Sequence, residues 1–260
     1  NRGEHEVFLA LSGLFPDTIE PIRAAFDGLL PQENIRVWHA PGPVKEEHSG
    51  NDARRETAEL IREAFLASLN ADVIHICSLF EGYVDDAVTS IGRFDKSTFI
   101  SVTLHDLIPL LSPDQYLTPN PKYSAYYHRK LGSLKQAALY LAISKSSQKE
   151  IIDCLSVDDT KIINTYEGVE PNFRVLNDHE ISKTFLADKL SIDRPFVLYT
   201  GGADERKNLP RLIEAWSKLP VSLRQTHQLL FAGRMPEGNV HELRRIAQRH
   251  GLQNDELLFS

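Results

Sequence analysis

Cysteine and methionine are scarce in this chain, long apolar runs are missing, and basic charge is in deficit. Each shortage narrows the field. The two cysteines, Cys77 and Cys154, lie far apart and match no metal-ligand spacing. They read as reduced thiols of a cytosolic protein. No stretch reaches the ~18 apolar residues that a spanning helix needs. Residues 1–6 are polar and the apolar run after them is short, which does not match a secretory signal. Asp and Glu (36) outnumber Lys and Arg (29), for a net charge of −7. Nucleic-acid binding wants a broadly basic face, so that charge argues against it; a local basic pocket for a phosphate stays compatible. Aromatics make up 8% of the chain and are not interleaved with basic runs, so no single-strand stacking platform is present. Nor does the chain hold a GxSxG elbow, an HExxH pair, a Walker A loop or a GxGxxG fingerprint. The only methionine is Met235 and the first residue is Asn1, so the sequence reads as a segment of a longer protein. The strand-like Leu257-Leu258-Phe259-Ser260 at the other end points the same way.

What the chain does have is ordinary globular composition, 42% hydrophobic and 25% charged over 260 residues. That suits one large or two modest domains. Short apolar runs alternate with amphipathic stretches. Strands are predicted at Val7–Leu11, Ile35–Trp38, Val73–Ile76, Phe99–Leu104, Leu139–Ile143 and Lys161–Asn164. Between them helices are predicted at 16–26 with Asp17 as cap, at 52–69, at 84–91, at 121–138 and at 144–155 capped by Ser144. In the 52–69 helix, Ile61, Phe65 and Leu69 form the apolar stripe, with Arg54, Arg55, Glu59 and Arg62 largely off it. This order implies parallel βαβ units with helices on both faces of one sheet. Residues 170–178 carry Pro171, Asn172 and Asn177 without periodicity, and the domain boundary is placed there. The pattern then restarts: helix 181–190, strand 196–200, helix 209–219, strand 228–232, helix 240–250 and a last strand. The predicted domains are 1–175 and 176–260, the second incomplete.

Several segments sit just past strands, where open α/β sheets bind ligands. The first is Thr200-Gly201-Gly202-Ala203-Asp204-Glu205-Arg206-Lys207-Asn208. Its glycines let a ligand approach the backbone, a helix N-terminus offers free N–H groups to an anion, and Arg206 and Lys207 add charge. A diphosphate fits that set; so does a plain glycine turn before a solvated helix start. In Thr103-Leu104-His105-Asp106-Leu107-Ile108-Pro109, the His–Asp pair can bind hydroxyls or move a proton near neutral pH, or Asp106 can simply cap the next turn. Glu81 in Ser78-Leu79-Phe80-Glu81-Gly82 is either a hydroxyl ligand or a solvated carboxylate. Ser144 explains itself as a helix cap. Gly168, in Tyr166-Glu167-Gly168-Val169, ends the last strand of the first domain and serves equally as a turn.

In chain order, the His105 loop, Leu141-Ala142-Ile143-Ser144, Glu167-Gly168-Val169, Gly201–Asn208 and Leu230-Phe231-Ala232-Gly233-Arg234 resemble glycosyltransferase family 4, the retaining enzymes of GT-B architecture. Residues 5–95 are similar to a branch of bacterial polysaccharide and O-antigen mannosyltransferases. The resemblance implies two Rossmann-like α/β domains, the first for the acceptor and the second for the sugar nucleotide. It implies His105 and Asp106 near the transferred sugar. Gly201, Gly202, Arg206, Lys207 and Gly233 would hold the donor, and Glu81, Ser144 and Gly168 would lie on the acceptor side or cleft. It further implies a GDP-mannose donor, no metal, and a glycan or lipid-linked acceptor. A cytoplasmic location follows, with peripheral contact at the inner face of the membrane.

The chain departs from the family pattern at Gly202, which stands where the family has Arg, so Arg206 is expected to substitute. The family's second domain continues with a Glu-x7-Glu motif that holds sugar and ribose, and its first opens on a strand and a Gly-rich loop; this 260-residue sequence contains neither that motif nor that loop. The full protein is therefore expected to be active and this 260-residue piece inactive. The competing readings are another GT-B enzyme, such as a sugar-nucleotide epimerase, and a non-catalytic nucleotide- or sugar-binding module on the same fold.

Overall fold

The computed structural model describes residues 5–175, 186 and 192–260. The chain divides into two compact units, Asn1–Val169 and Glu170–Ser260. The helix expected at 181–190 lies outside the described residues apart from Leu186.

The first unit holds strands β1 (Leu9–Ser12), β2 (Ile35–Trp38), β3 (Val73–Ile76), β4 (Phe99–Leu104), β5 (Leu139–Ala142) and β6 (Ile162–Asn164). Its main helices are α1 (Pro16–Ala25), α2 (Asp52–Ser68), the short α3 (Ile108–Leu111) and α4 (Pro113–Tyr116), α5 (Pro121–Leu134) and α6 (Lys145–Leu155). All strand pairs are parallel, but they do not make the single sheet expected from the alternation. β1 pairs only with β2, and a separate ladder runs β3-β4-β5-β6. No backbone bond links β1 to β3 among the described residues. α2 instead sets Ala58, Ile61 and Phe65 against Trp38 and Val44 beside the first ladder. In the second ladder the order is sequential, so right-handed crossovers place α5 and α6 on one face. There Val102, Leu104, Tyr126, Leu134, Tyr140, Ala142 and Ile151 form the main core.

Three local expectations are corrected. Asp17 is not a cap: Phe15 takes the N-cap position with no side-chain bond, and Pro16 opens α1, needing no N–H there. The helix expected at 84–91 is absent. Its polar groups are engaged elsewhere: Asp86 Oδ1 accepts from the Val44 and Lys45 amides, Asp85 from the Ala87 amide, and Ser133 Oγ from the Ile91 amide. Such side-chain bonds compete with the helical ladder and here they win.

The third correction concerns α2. Its buried residues are Arg55, Ala58, Glu59, Glu63 and Leu66, while Ile61 and Phe65 are only half-buried. The charges are inside because partners from distant segments meet them. Arg129 of α5 donates to Glu59 Oε1 at 2.8 Å and to Glu46 Oε1 at 3.1 Å. Glu63 accepts from Ser90 Oγ and the Phe94 amide, both at 2.6 Å. Buried charges persist only when paired in this way. Burial opposes the charge on Arg129, but its bonds to Glu46 and Glu59 outweigh that and raise its pKa.

The second unit is plainer. Strands β7 (Phe196–Thr200), β8 (Gln228–Ala232) and β9 (Leu257–Phe259) form a parallel sheet in that order. Helices α7 (Leu209–Ser217), α8 (Val221–Thr226) and α9 (Glu237–Arg249) accompany it. Leu209, Ile213, Trp216, Leu229, Phe231, Leu243 and Leu257 share one apolar core.

Candidate functional site

In the first unit, the carboxyl ends of β3 and β4 open onto a cavity of about 180 Å³. Ser78, Phe80, His105, Asp106, Tyr123 and Tyr127 line it. The His105 loop is held by its backbone. Ser144 caps α6, its Oγ accepting from the Ser147 amide at 3.0 Å. Ser147, buried in the first turn of α6, donates its hydroxyl to the His105 carbonyl. One turn on, Glu150 Oε2 accepts from the Leu107 amide at 2.8 Å. Leu107 is fully buried. Asp106 Oδ1 accepts from the Ile108 amide at 3.1 Å, a turn bond two residues long, and makes no bond with His105 among the described residues; Leu107 holds the N-cap position of α3 with no side-chain bond. The outcome is a rigid loop that presents an exposed imidazole with no hydrogen-bond partner among the described residues. Ser144 thus acts on His105 through Ser147, a link that spacing alone does not reveal.

Glu81 is exposed and is not among the residues lining the cavity; it accepts from Ser78 Oγ, which is, at 2.7 Å. Gly82 follows at φ 92°, and a Cβ there would collide with the Ala87 carbonyl. The aromatic wall went unnoticed in the sequence. Phe80 stacks on Tyr127 with centroids 4.8 Å apart, and Tyr123 leans on Tyr83, Tyr126 and Tyr127. Tyr127 is buried, yet its hydroxyl has no hydrogen-bond partner among the described residues. Burial, then the charge of Asp106, raises the Tyr123 pKa; burial raises that of Tyr127, with neighbouring Tyr123 adding to it. Both phenols therefore stay protonated donors near neutral pH. The i, i+4 spacing of Tyr123 and Tyr127 on α5 was the available signal. Gly168 stands exposed in the irregular stretch 165–170, with nothing within 4 Å of where a Cβ would be.

In the second unit, the carboxyl ends of β7 and β8 meet through glycine. Gly201 has φ 139° and Gly233 φ 138°. A Cβ on Gly233 would lie 2.9 Å from the Gly201 carbonyl oxygen, and one on Gly201 would lie 2.9 Å from Tyr199 Oη. Side chains are thus excluded where the strands end, and backbone is left exposed. Tyr199 Oη donates to the Gly202 carbonyl at 2.7 Å and steadies the turn. The loop does not open the helix directly, as the sequence suggested. A 3₁₀ turn at Glu205–Lys207 intervenes, with Asp204 accepting from the Arg206 amide at 3.0 Å, and Asn208 at φ 50° then leads into α7. The reason is that Asp204 supplies a local cap one turn early. Arg206 is half-exposed and its Nε lies 3.3 Å from Asp204 Oδ1. The exposed Lys207 ammonium has no partner among the described residues. A cavity of about 260 Å³ between Ala203, Leu209 and α9 is bounded by Asp204 and Glu205, not by the two cations.

No family model matches the sequence. Against curated proteins, the chain is 30% identical over 261 aligned positions to the serotype-specific mannosyltransferase WbdA of Escherichia coli. The match spans 100% of this chain and 32% of that protein. Another Escherichia coli WbdA is 28% identical with the same coverage. The chain thus spans about a third of the length of the curated relatives it matches. Among solved structures, HepE of Anabaena, crystallised with UDP and glucose, superposes with a TM-score of 0.58 at 19% identity, covering 98% of this chain and 69% of that one. WaaG, a glycosyltransferase involved in lipopolysaccharide biosynthesis, superposes with a TM-score of 0.56 at 17% identity and the same coverage.

Proposed function

We propose, starting from a chain homologous throughout to part of the WbdA mannosyltransferases and bearing the GT-B glycosyltransferase fold, that the protein containing it transfers a hexose from a nucleotide sugar to a growing surface glycan. The donor is GDP-mannose, the acceptor a glycan or lipid-linked oligosaccharide, and the anomeric configuration is retained. The observation that carries the reading is the pair of side-chain-free strand ends, Gly201 and Gly233, with Arg206 and Lys207 in the 3₁₀ turn that follows Gly201 along the chain. Open backbone with two adjacent cations stabilises a diphosphate as negative charge develops on it during departure. Arg206 exchanges Asp204 for phosphate oxygen on donor binding. This gives Arg206 the role expected where Gly202 replaces the family arginine.

In the first unit, the free imidazole of His105 contacts the transferred sugar, and Glu81 and the Tyr123 phenol bind acceptor hydroxyls. The aromatic faces of Phe80 and Tyr123 suit the apolar C–H face of a pyranose. Asp106 acts by fixing the loop rather than by accepting a proton. Among the described residues no helix is long and apolar enough to cross a membrane. A lipid-linked acceptor therefore brings the protein to the cytoplasmic membrane as a peripheral visitor.

The test uses the full-length protein with labelled GDP-mannose, other GDP- and UDP-sugars, and mannooligosaccharide acceptors. Labelled mannose in an elongated product supports the proposal. A rearranged donor or unchanged substrates would sink it. Arg206→Ala combined with Lys207→Ala should raise the donor KM and lower kcat together, by 10²-fold or more in kcat/KM, as on the order expected for losing charge stabilisation of a leaving group.

A further inference from the structure

Glycine in a helix interior costs roughly 0.5–1 kcal/mol against alanine, so a helical glycine calls for a reason. At most such positions the reason is steric. Gly132 of α5 has none: a Cβ built there meets nothing within 4 Å. What Gly132 does is line a groove of about 250 Å³, larger than the His105 cavity. Its walls are α2 through Glu59, the segment 90–96, and the second half of α5.

The chemistry of that groove is polar, and its charge is close to balanced. Arg129 is saturated by Glu46 and Glu59, and Arg93 reaches Glu59 Oε2 at 3.4 Å and Glu56 at 3.8 Å. That balance disfavours a strongly anionic ligand. No aromatic lines it, and Ile91 is its only large apolar member. It does offer hydrogen-bonding capacity that the protein leaves unused. Glu59 is 2% exposed, and its Oε2 accepts no hydrogen bond among the described residues, its charge being met only by Arg93 Nε at 3.4 Å. The Gln136 amide and the Lys96 ammonium have no partner among the described residues. The groove's free groups, the Gln136 amide that both donates and accepts and the Lys96 ammonium, line the same space as the Ser133 hydroxyl, and such a neutral-to-cationic polar set binds sugar hydroxyls, where each OH both donates and accepts. The space suits one pyranose ring and is too small for a nucleoside diphosphate sugar.

Topology sets this groove apart from the His105 site. Residues 90–96 precede β4, whereas His105 follows it, so the two lie at opposite ends of that strand. Along α5, Tyr123 and Ser133 are ten residues apart, about 15 Å at 1.5 Å per residue. We infer that the groove is a second carbohydrate site, holding one hexose of the acceptor glycan several sugar units from its reacting end. This identification of the ligand rests on the transferase reading; the groove itself does not. A transferase with such a site extends long chains more readily than short ones.

Gly132→Leu tests this without threatening the fold, since leucine favours the helix and fills only the groove. Gly132→Ala and thermal melting are the controls, and neither variant should melt below wild type. With the full-length protein, α-mannotetraose binding by calorimetry should weaken at least tenfold in Gly132→Leu and survive in His105→Ala. In transfer assays Gly132→Leu should raise KM for long acceptors at unchanged kcat, and leave KM for mannobiose and for the donor alone. Tetraose binding that is absent in wild type, or equal in Gly132→Leu and wild type, overturns the inference. Transfer that proceeds normally while Gly132→Leu is silent removes the groove but not the proposed function. Gly132-dependent binding without transfer from any nucleotide sugar removes the function but not the groove.

Discussion

Helix α7 of the second unit buries Leu209, Ile213 and Trp216 in a core shared with Leu229 and Phe231. Helix α2 of the first unit buries Arg55, Glu59 and Glu63 alongside Ala58 and Leu66. Both are helices of a parallel α/β unit, yet they settle their buried faces by different physics. Apolar burial is non-directional and requires only any apolar neighbour. A buried carboxylate needs a particular cation in a particular place, and α2 finds it 70 residues away at Arg129. Among the described residues of the second unit, the counterpart is the largely buried Arg224–Glu256 pair at 2.7 Å. The lesson is that a polar helical layer tends to accompany a polar surface feature. The groove under Gly132 sits on Glu59 and Arg129, whereas the cavity of similar size beside α7 is lined by the core residues Leu209, Leu243 and Ile246 and is polar only at its Asp204, Glu205, Asn208, Asn239 and Glu242 side.

This contrast can be broken from either side. The largest expected effect is Glu59→Ala, which leaves Arg93 and part of Arg129 uncompensated and should cost about 3–5 kcal/mol in urea unfolding. Replacing both ends of the pair, Glu59→Met with Arg129→Met, should recover most of that loss; an equal loss in the double variant would show that packing, not charge pairing, holds the layer. Ile213→Ala in the second unit is next, at about 2–5 kcal/mol from lost burial and a cavity. Its effect should be additive with Glu59→Ala within experimental error, since the two sites share no neighbours.

A subtler break uses pH. Lys130 is buried, donates to the Thr89 carbonyl at 2.6 Å, and has its pKa pushed down to about 7, first by burial and then by Arg129. Its folded pKa is below its unfolded value near 10.4. The unfolded chain therefore binds the extra proton between those values, and stability from this group rises as pH climbs from about 7 to 10. The slope is at most about 1.4 kcal/mol per pH unit. Lys130→Met should flatten that rise in denaturation series, while Ile213→Ala should leave it unchanged. The smallest effect is Ser144→Ala, about 1 kcal/mol for a lost helix cap. It sharpens the comparison because the same cap positions His105 through Ser147: kcat of the full-length protein should fall more than stability alone accounts for.

The strand runs and the order of motifs were legible because short apolar, β-branched runs bounded by turn residues mark parallel strands, even where, as in β7 and β3, half or more of the strand's residues are exposed. The place of Gly201, Gly233 and the His105 loop at the carboxyl ends of β7, β8 and β4 was legible because each follows directly on a short apolar run. Other features depended on contacts between residues far apart in the chain. The 84–91 segment looks helical by itself and is undone by Ser133 and by the amides of Val44 and Lys45. The Tyr123–Tyr127 wall needs Phe80 from another strand end. The inward face of α2 is invisible to hydrophobic periodicity, which counts apolar residues and cannot see a distant arginine. The chain alone thus determined which segments are strands and where their chemistry collects, since burial and backbone conformation are local demands. The tertiary structure decided which charges go inside and which glycine keeps a groove open, because an ion pair and an empty space exist only between segments.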